Sequence, residues 1–154
     1  MRRCVEHARA LLLASLALTA PALYAEGVPA LDEREALRAG EAAIGRPVPD
    51  GITLQDREGR PVRLADYRGK PLLVSFIYTG CFQVCPTQTR ALHEAVKGLD
   101  VMLGEHQFNV VSIGFNQPFD APDAMRSFAR QHRIDYANWE FLSPPRAQVE
   151  ALTR

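Results

Sequence analysis

The chain lacks any surplus of charge: its 154 residues carry 18 basic and 18 acidic side chains. That balance gives no electrostatic reason to expect a nucleic-acid partner, whose phosphates require a basic surface. Internal repeats and low-complexity tracts are absent, and an apolar content of 47% suits one domain with a single core. An uninterrupted membrane-spanning run is missing too. A spanning helix needs about 20 apolar residues, whereas Ala10 to Ala25 supplies sixteen, broken by Pro21. Cysteine is scarce: Cys4, Cys81 and Cys85 are the only three.

What stands at the start is ordered. Arg2, Arg3 and Arg9 precede the Ala- and Leu-rich run, and the small residues Ala22 and Ala25 offer cleavage positions. Basic, apolar and small segments in that order predict a secretory signal peptide over residues 1–25, or an anchor if it stays uncleaved. The expected location is periplasmic or exported, with the inner membrane as the site of any anchor. Cleavage would remove three arginines and one glutamate, leaving fifteen basic against seventeen acidic side chains. Cys4 would leave with the peptide, and its place before the apolar run does not fit a lipoprotein cysteine. Two cysteines remain, and in an oxidising compartment such a pair serves as a disulfide, a metal site, or both by turns.

Residues 26–46 are Ala-rich and charged and predict a linker with a short helix, with Asp32 and Glu35 at its start. The domain proper is expected over 47–154. Ile52–Gln55 and Val62–Leu64 flank the polar turn Asp56–Arg60 and predict a β-hairpin. Leu72 to Tyr78 is almost continuously apolar, as expected of a strand buried on both faces at the centre of a sheet. A helix is predicted from Pro86 to Lys97, with Ala91, Leu92, Ala95 and Val96 inward and Gly98 as its stop. Phe108 to Phe115 reads as a second strand, parallel to the first across a βαβ unit. A second helix should begin near Pro122 with Asp120 as cap. Trp139–Leu142 predicts a short strand, and a third helix follows Pro145 through Leu152.

The chemistry concentrates in Tyr78-Thr79-Gly80-Cys81-Phe82-Gln83-Val84-Cys85-Pro86, between the first long strand and its helix. Open α/β sheets hold their sites at such strand ends. Pro86 disfavours a helical backbone at Cys85, so Cys85 is expected as the helix cap with Cys81 on the loop above. Both sulfurs would then feel the positive end of the helix dipole, which favours thiolate. Two adjacent thiolates are soft ligands suited to Cu(I), and the same pair could close as a disulfide. As a purely structural crosslink its loop is too short to constrain much of the unfolded chain. Three residues separate the cysteines, one more than in a thioredoxin redox motif. Peroxidase chemistry of the peroxiredoxin kind would place Thr and Pro where this chain has Tyr78 and Val74.

The run Val74-Ser75-Phe76-Ile77-Tyr78-Thr79-Gly80-Cys81 through Cys85-Pro86 resembles the signature of the Sco/SenC family. Leu64-Ala65-Asp66-Tyr67-Arg68-Gly69-Lys70-Pro71 upstream is similar as well. So, downstream, are Ile113-Gly114-Phe115, Asp120-Ala121-Pro122 and Trp139-Glu140-Phe141-Leu142. The resemblance implies an α/β, thioredoxin-like fold with an N-terminal β-hairpin, incomplete at the C-terminus. It also implies copper held by Cys81, Cys85 and a histidine. The implied role is delivery of copper to, or reduction of the thiols of, the copper site of a respiratory cytochrome c oxidase. Expected partners are an oxidase subunit or another copper chaperone, with membrane association through the N-terminus if the anchor stays. Asn116 stands where many relatives carry Asp, and the family's histidine lies beyond the point where this sequence stops. His93, His106 and His132 read instead as surface residues, with His93 facing solvent two turns below the site. Phe76, Phe128, Trp139 and Phe141 read as core, Met125 as packing, and Arg126, Arg130 and Arg133 as a solvated face. Two other functions remain open: an exported thiol–disulfide oxidoreductase using Cys81 and Cys85 as a redox pair without stable metal, and a truncated chain that neither folds fully nor acts.

Overall fold

The computed structural model describes residues 32–104 and 106–152. The segment over residues 1–25 read as a signal peptide or anchor lies outside them, and no described helix is long and apolar enough to cross a membrane. Two compact units divide between Arg46 and Pro47. The first contributes one described helix, α1 (Glu33–Ala43), capped by Asp32, whose Oδ1 accepts from the amides of Arg34 at 2.9 Å and Glu35 at 3.2 Å. All of its residues are exposed.

The second unit begins with the expected hairpin, β1 (Thr53–Gln55) paired antiparallel with β2 (Pro61–Arg63). Its turn is closed by Asp56, which accepts from the amides of Glu58 at 2.9 Å and Arg60 at 2.8 Å. A 3₁₀ turn, Leu64–Tyr67, leads to β3 (Leu72–Ile77). Then follow α2 (Val84–Leu103), β4 (Asn109–Gly114), α3 (Pro122–Gln131), β5 (Trp139–Leu142) and α4 (Arg146–Leu152). The three long strands pair in parallel in the order β3-β4-β5.

β4, not β3, is the middle strand among the described residues. Its residues from Val110 to Gly114 are all buried, while β3 leaves Val74 at 47% and Phe76 at 39% exposed. The expectation of a central, doubly covered β3 with Phe76 in the core is therefore corrected. The reason lies in how the layers sit. Ile52, Leu54, Leu64 and Leu142 gather over Val111 and Ile113, with Leu152 of α4 packed against them. That layer covers β4 and β5, and the outward alternate residues of β3 fall beside it.

The opposite face carries the larger core. Ile77 and Val110 meet Cys85 and Val96 of α2, Met125, Phe128 and Ala129 of α3, and Trp139 and Phe141 of β5. Trp139 stacks on Phe141 with ring centroids 5.9 Å apart, and its Nε1 donates to Ser112 Oγ at 3.1 Å. Ser112 Oγ in turn shares a 3.0 Å hydrogen bond with Ser75 Oγ. This linkage satisfies three polar groups that would otherwise be buried unpaired.

α2 departs from its predicted span at both ends. It runs through Gly98, whose missing side chain only lowers helix propensity by about 1 kcal/mol, and stops at Gly104, where φ is +87°. Its inward stripe is Cys85, Thr89, Leu92, Val96 and Leu99, one residue every three or four, whereas Ala91 and Ala95 are exposed. At the start it begins at Val84 with Gln83 as cap, so Cys85 is inside the helix. Pro86 is tolerated there because the first four helical amides have no intrahelical acceptor to lose.

Candidate metal and thiol site

The Thr79–Gln83 loop carries β3 into α2 at the C-terminal edge of the sheet. Cys81 lies on this loop, half-buried, and Cys85 lies in the first turn of α2, 8% exposed. The Cys85 amide donates to Cys81 Sγ at 3.5 Å, and the Tyr78 amide donates to Cys85 Sγ at 3.4 Å. Both thiols are free. Each sulfur is thus reached by a main-chain N–H, but their environments differ.

The amide of Cys85, followed by that of Gln83 and the thiol of Cys85, holds Cys81 down to a pKa of about 7. Burial pushes Cys85 up, and the negative charges of Cys81 and Asp120 add to the effect. The expectation that both sulfurs favour thiolate holds for Cys81 and fails for Cys85. The reason is direction: the free amides at the helix start point outward at Cys81, while Cys85 rides inward on the buried stripe.

Asp120 fixes the loop. It is fully buried, and its Oδ1 accepts from the Thr79 amide at 2.9 Å and the Thr79 hydroxyl at 2.6 Å. Its Oδ2 accepts from the Asn116 amide at 2.8 Å. The expected role of Asp120 as cap of α3 is corrected: the cap position is Ala121, without a side-chain bond. With Pro122 setting the first helical turn, Asp120 is released to tie the loops after β3 and β4 together.

Gly114 makes this closeness feasible. A Cβ there would lie 2.6 Å from Asp120 Cβ and 2.6 Å from Met125 Sδ. Met125 can yield, but Asp120 is pinned by three donors. Gly114→Ala is expected to cost about 1–3 kcal/mol through overpacking. Urea unfolding checks it, and a midpoint unchanged from the parent would show that the turn relaxes freely.

No described group of three or more His, Cys, Asp or Glu side chains gathers in a metal-holding cluster. His93 does not face solvent as expected: its Nε2 is 3.1 Å from Tyr136 Oη, and its ring meets Trp139 edge-on. It is drawn in because position 93 borders the inward stripe of α2. His132 is half-buried, with its ring centroid 4.4 Å from that of Phe128 and its Nε2 buried without a hydrogen-bond partner. Burial, with Arg90 nearby, lowers its pKa. His106 makes interactions of its own in its loop. Arg126 is likewise no free surface cation, since it pairs with Asp123 at 2.9 Å and donates to the Arg57 carbonyl. Arg130 and Arg133 are exposed, and Phe128, Trp139, Phe141 and Met125 are core.

Beside Cys81 opens a cleft of about 410 Å³ whose wall includes Phe82, Arg90, Phe128, His132 and Arg133. It was not legible in the sequence, because its residues come from the Thr79–Gln83 loop, from α2 and from the end of α3, which only the fold brings together.

Comparison with known proteins places this geometry in context. The SCO1/SenC family model matches residues 47–154. The SCO1 protein homolog of Bacillus subtilis is 28% identical over 92 residues, covering 60% of this chain and 47% of that protein. The solved structure of BsSco, a member of the Sco family of cytochrome c oxidase assembly proteins in which a disulfide switch was identified, aligns with a TM-score of 0.59 at 25% identity. That alignment covers 66% of this chain and 59% of the other. ScoI of Bradyrhizobium japonicum, with copper bound, aligns with a TM-score of 0.55 at 27% identity, over 65% of this chain and 60% of that one. The shared architecture is thioredoxin-like. The chain spans about half the length of the Bacillus subtilis relative and about three fifths of the two solved structures.

Proposed function

The chain belongs to the SCO1/SenC family, and from that premise we propose that it is a copper-binding assembly factor acting on a respiratory cytochrome c oxidase. Cys81 and Cys85 hold the metal as cargo. The observation that supports this most is the pairing of the two sulfurs: one stands in the first turn of α2, and its amide donates to the other. A low pKa at Cys81 makes thiolate available near neutral pH, and soft thiolates select Cu(I) over harder ions. The donor chemistry fits two-sulfur ligation by this chain's own residues. Delivery of the ion to an oxidase subunit, or receipt from another copper chaperone, would proceed by thiol ligand exchange at the more exposed Cys81. The basic, apolar and small segments of residues 1–25 support export to the periplasm.

Titration of the reduced protein with Cu(I) under a competing chelator should show one ion bound per chain. Cys81→Ser/Cys85→Ser should abolish it. Equal binding by both proteins would remove the site assignment.

A second reading is favoured by a specific observation, the split between the sulfurs. A partly exposed, low-pKa Cys81 and a buried, high-pKa Cys85 are also what attack and resolution of a disulfide require. On that reading the pair reduces the partner's oxidised thiols, and the two activities share one site. Metal-free protein that reduces a model disulfide as fast as copper is transferred would favour it.

A further inference from the structure

The cleft beside Cys81 has a charge that the cysteine chemistry does not explain. Arg90 lies on its α2 wall and Arg133 just past the end of α3. Among the described residues neither guanidinium pairs with a carboxylate; Arg90 donates only to Thr87 Oγ1, at 3.3 Å. Among the described residues no acidic side chain lines the cleft. Elsewhere on the unit the arginines are mostly matched: Arg57 with Glu140, Arg60 with Asp56, Arg63 with Asp66, Arg126 with Asp123. At the lip stands Phe82, between the two cysteines and 91% exposed. A large apolar side chain so open beside a reactive sulfur is informative where a scattered one would not be.

We infer that this cleft is the docking surface for the partner's polypeptide, and that it selects an acidic segment flanking the cysteine to be exchanged with Cys81. The inference rests on the reading of Cys81 as the exchanging sulfur and adds the partner's chemistry to it. Two cations without counter-charges complement carboxylates, Phe128 and Phe82 offer apolar contact, and Gln131 supplies an amide at the rim. The Cys81 sulfur takes its hydrogen bond from the Cys85 amide, at 3.5 Å, and not from the arginines. Recognition and reactivity therefore separate cleanly.

A peptide cysteine activated as its thiopyridyl disulfide reports on the encounter. The Cys81 thiolate attacks the peptide sulfur, and the S–S bond breaks. Thiopyridone departs with a proton from solvent, leaving a Cys81–peptide disulfide. Cys85 then attacks the Cys81 sulfur and passes its proton to the departing peptide thiolate. The protein dithiol is oxidised to the Cys81–Cys85 disulfide, and the activated peptide is reduced to its thiol.

Three peptides that differ only in flanking residues, glutamate, glutamine or lysine, test the cleft through the rate of thiopyridone release from the full chain. At low ionic strength the glutamate peptide should react about tenfold faster than the glutamine peptide, the size that two solvent-exposed charge pairs can supply. High salt should reduce that preference to about twofold. Arg90→Gln/Arg133→Gln should erase it, bringing the glutamate, glutamine and lysine peptides to one common rate, and Arg90→Glu/Arg133→Glu should turn the preference toward lysine. Equal rates for all three peptides, or a preference that survives the double substitution, would overturn the assignment. Release no faster than from Cys81→Ser would instead overturn Cys81 as the exchanging sulfur, whatever the charges do.

Discussion

At pH 7, iodoacetamide should modify Cys81 of the native protein about a hundredfold faster than Cys85. The expectation combines three effects of different sign. With a pKa of about 7, roughly half of Cys81 is thiolate at that pH. Cys85, raised above the ordinary thiol range by burial, is almost entirely protonated at that pH. Ionisation alone therefore favours Cys81 strongly. A less basic thiolate is also a weaker nucleophile, and a Brønsted slope of about 0.4–0.5 returns nearly half of that advantage on a logarithmic scale. What remains is a modest preference, so burial decides the size of the outcome. Cys85 is only 8% exposed, its Sγ holds the Tyr78 amide, and it packs in the helix-side core. Reagent reaches it only through local opening, which contributes a further tenfold or more.

The pH profile carries the sign. Cys81 modification should rise through pH 7 and level off above about pH 8, while Cys85 should still be gaining at pH 9. Unfolding in urea removes both causes at once: Cys81 should slow at pH 7 as its pKa climbs back, Cys85 should accelerate, and the two rates should meet. Mass spectrometry of digests taken over time measures both sites together. A Cys81 profile centred near pH 9, or equal native rates, would show that the amides at the start of α2 do not stabilise its thiolate.

How much of this was legible in the sequence depends on the length scale involved. The apolar run at β3, the stripe of α2 and the turn residues of the hairpin act locally, so their elements could be read within a few residues. The Sco/SenC motif placed both cysteines on a strand-to-helix junction for the same reason. The order of strands was not legible, because an apolar alternation says which residues seek burial but not which layer covers them. Val74 and Phe76 are as apolar as Val111 and Ile113, yet only the second pair lies under the hairpin. The start of α2 was misplaced by the rule that a residue before proline avoids the helix. That rule gives way where the proline sits among amides that need no intrahelical partner. The divergence of the two sulfurs required knowing which of them faced the core. Asp120 offered a plausible local role as a cap, and its actual partners, Thr79 and Asn116, belong to two different loops.

That last displacement leads to the largest stability effect expected from a single polar substitution, Asp120→Ala. The side chain is completely buried and accepts three hydrogen bonds, from the Thr79 amide and hydroxyl and from the Asn116 amide. Hydrogen bonds to a charged acceptor are worth about 1.5–3 kcal/mol each, and donors stranded without a partner cost about 1–3 kcal/mol. Water can reach the partly buried loop and recover some of this. A net loss of about 3–5 kcal/mol remains, the size seen when one member of a buried charged network is removed. Native domains hold only about 5–15 kcal/mol in total, so the melting temperature should fall by about 15 °C or more. Asp120→Asn keeps one oxygen to accept from Thr79 but turns an NH₂ toward the Asn116 amide, and it should lose about half as much. The same conservative variant separates a role at the site from a role in stability. Asp120's charge is one of the causes that raise Cys85, so neutralising it should lower the pKa of that thiol. In Asp120→Asn, below its melting transition, Cys85 should then be alkylated faster at pH 8.5 than in the parent protein, and the gap between the two cysteines should narrow. If Asp120→Ala unfolds within 1 kcal/mol of the parent, the network is not what holds the loop. If Asp120→Asn is destabilised while Cys85 keeps its parental rate, the carboxylate positions Thr79 without influencing the sulfurs.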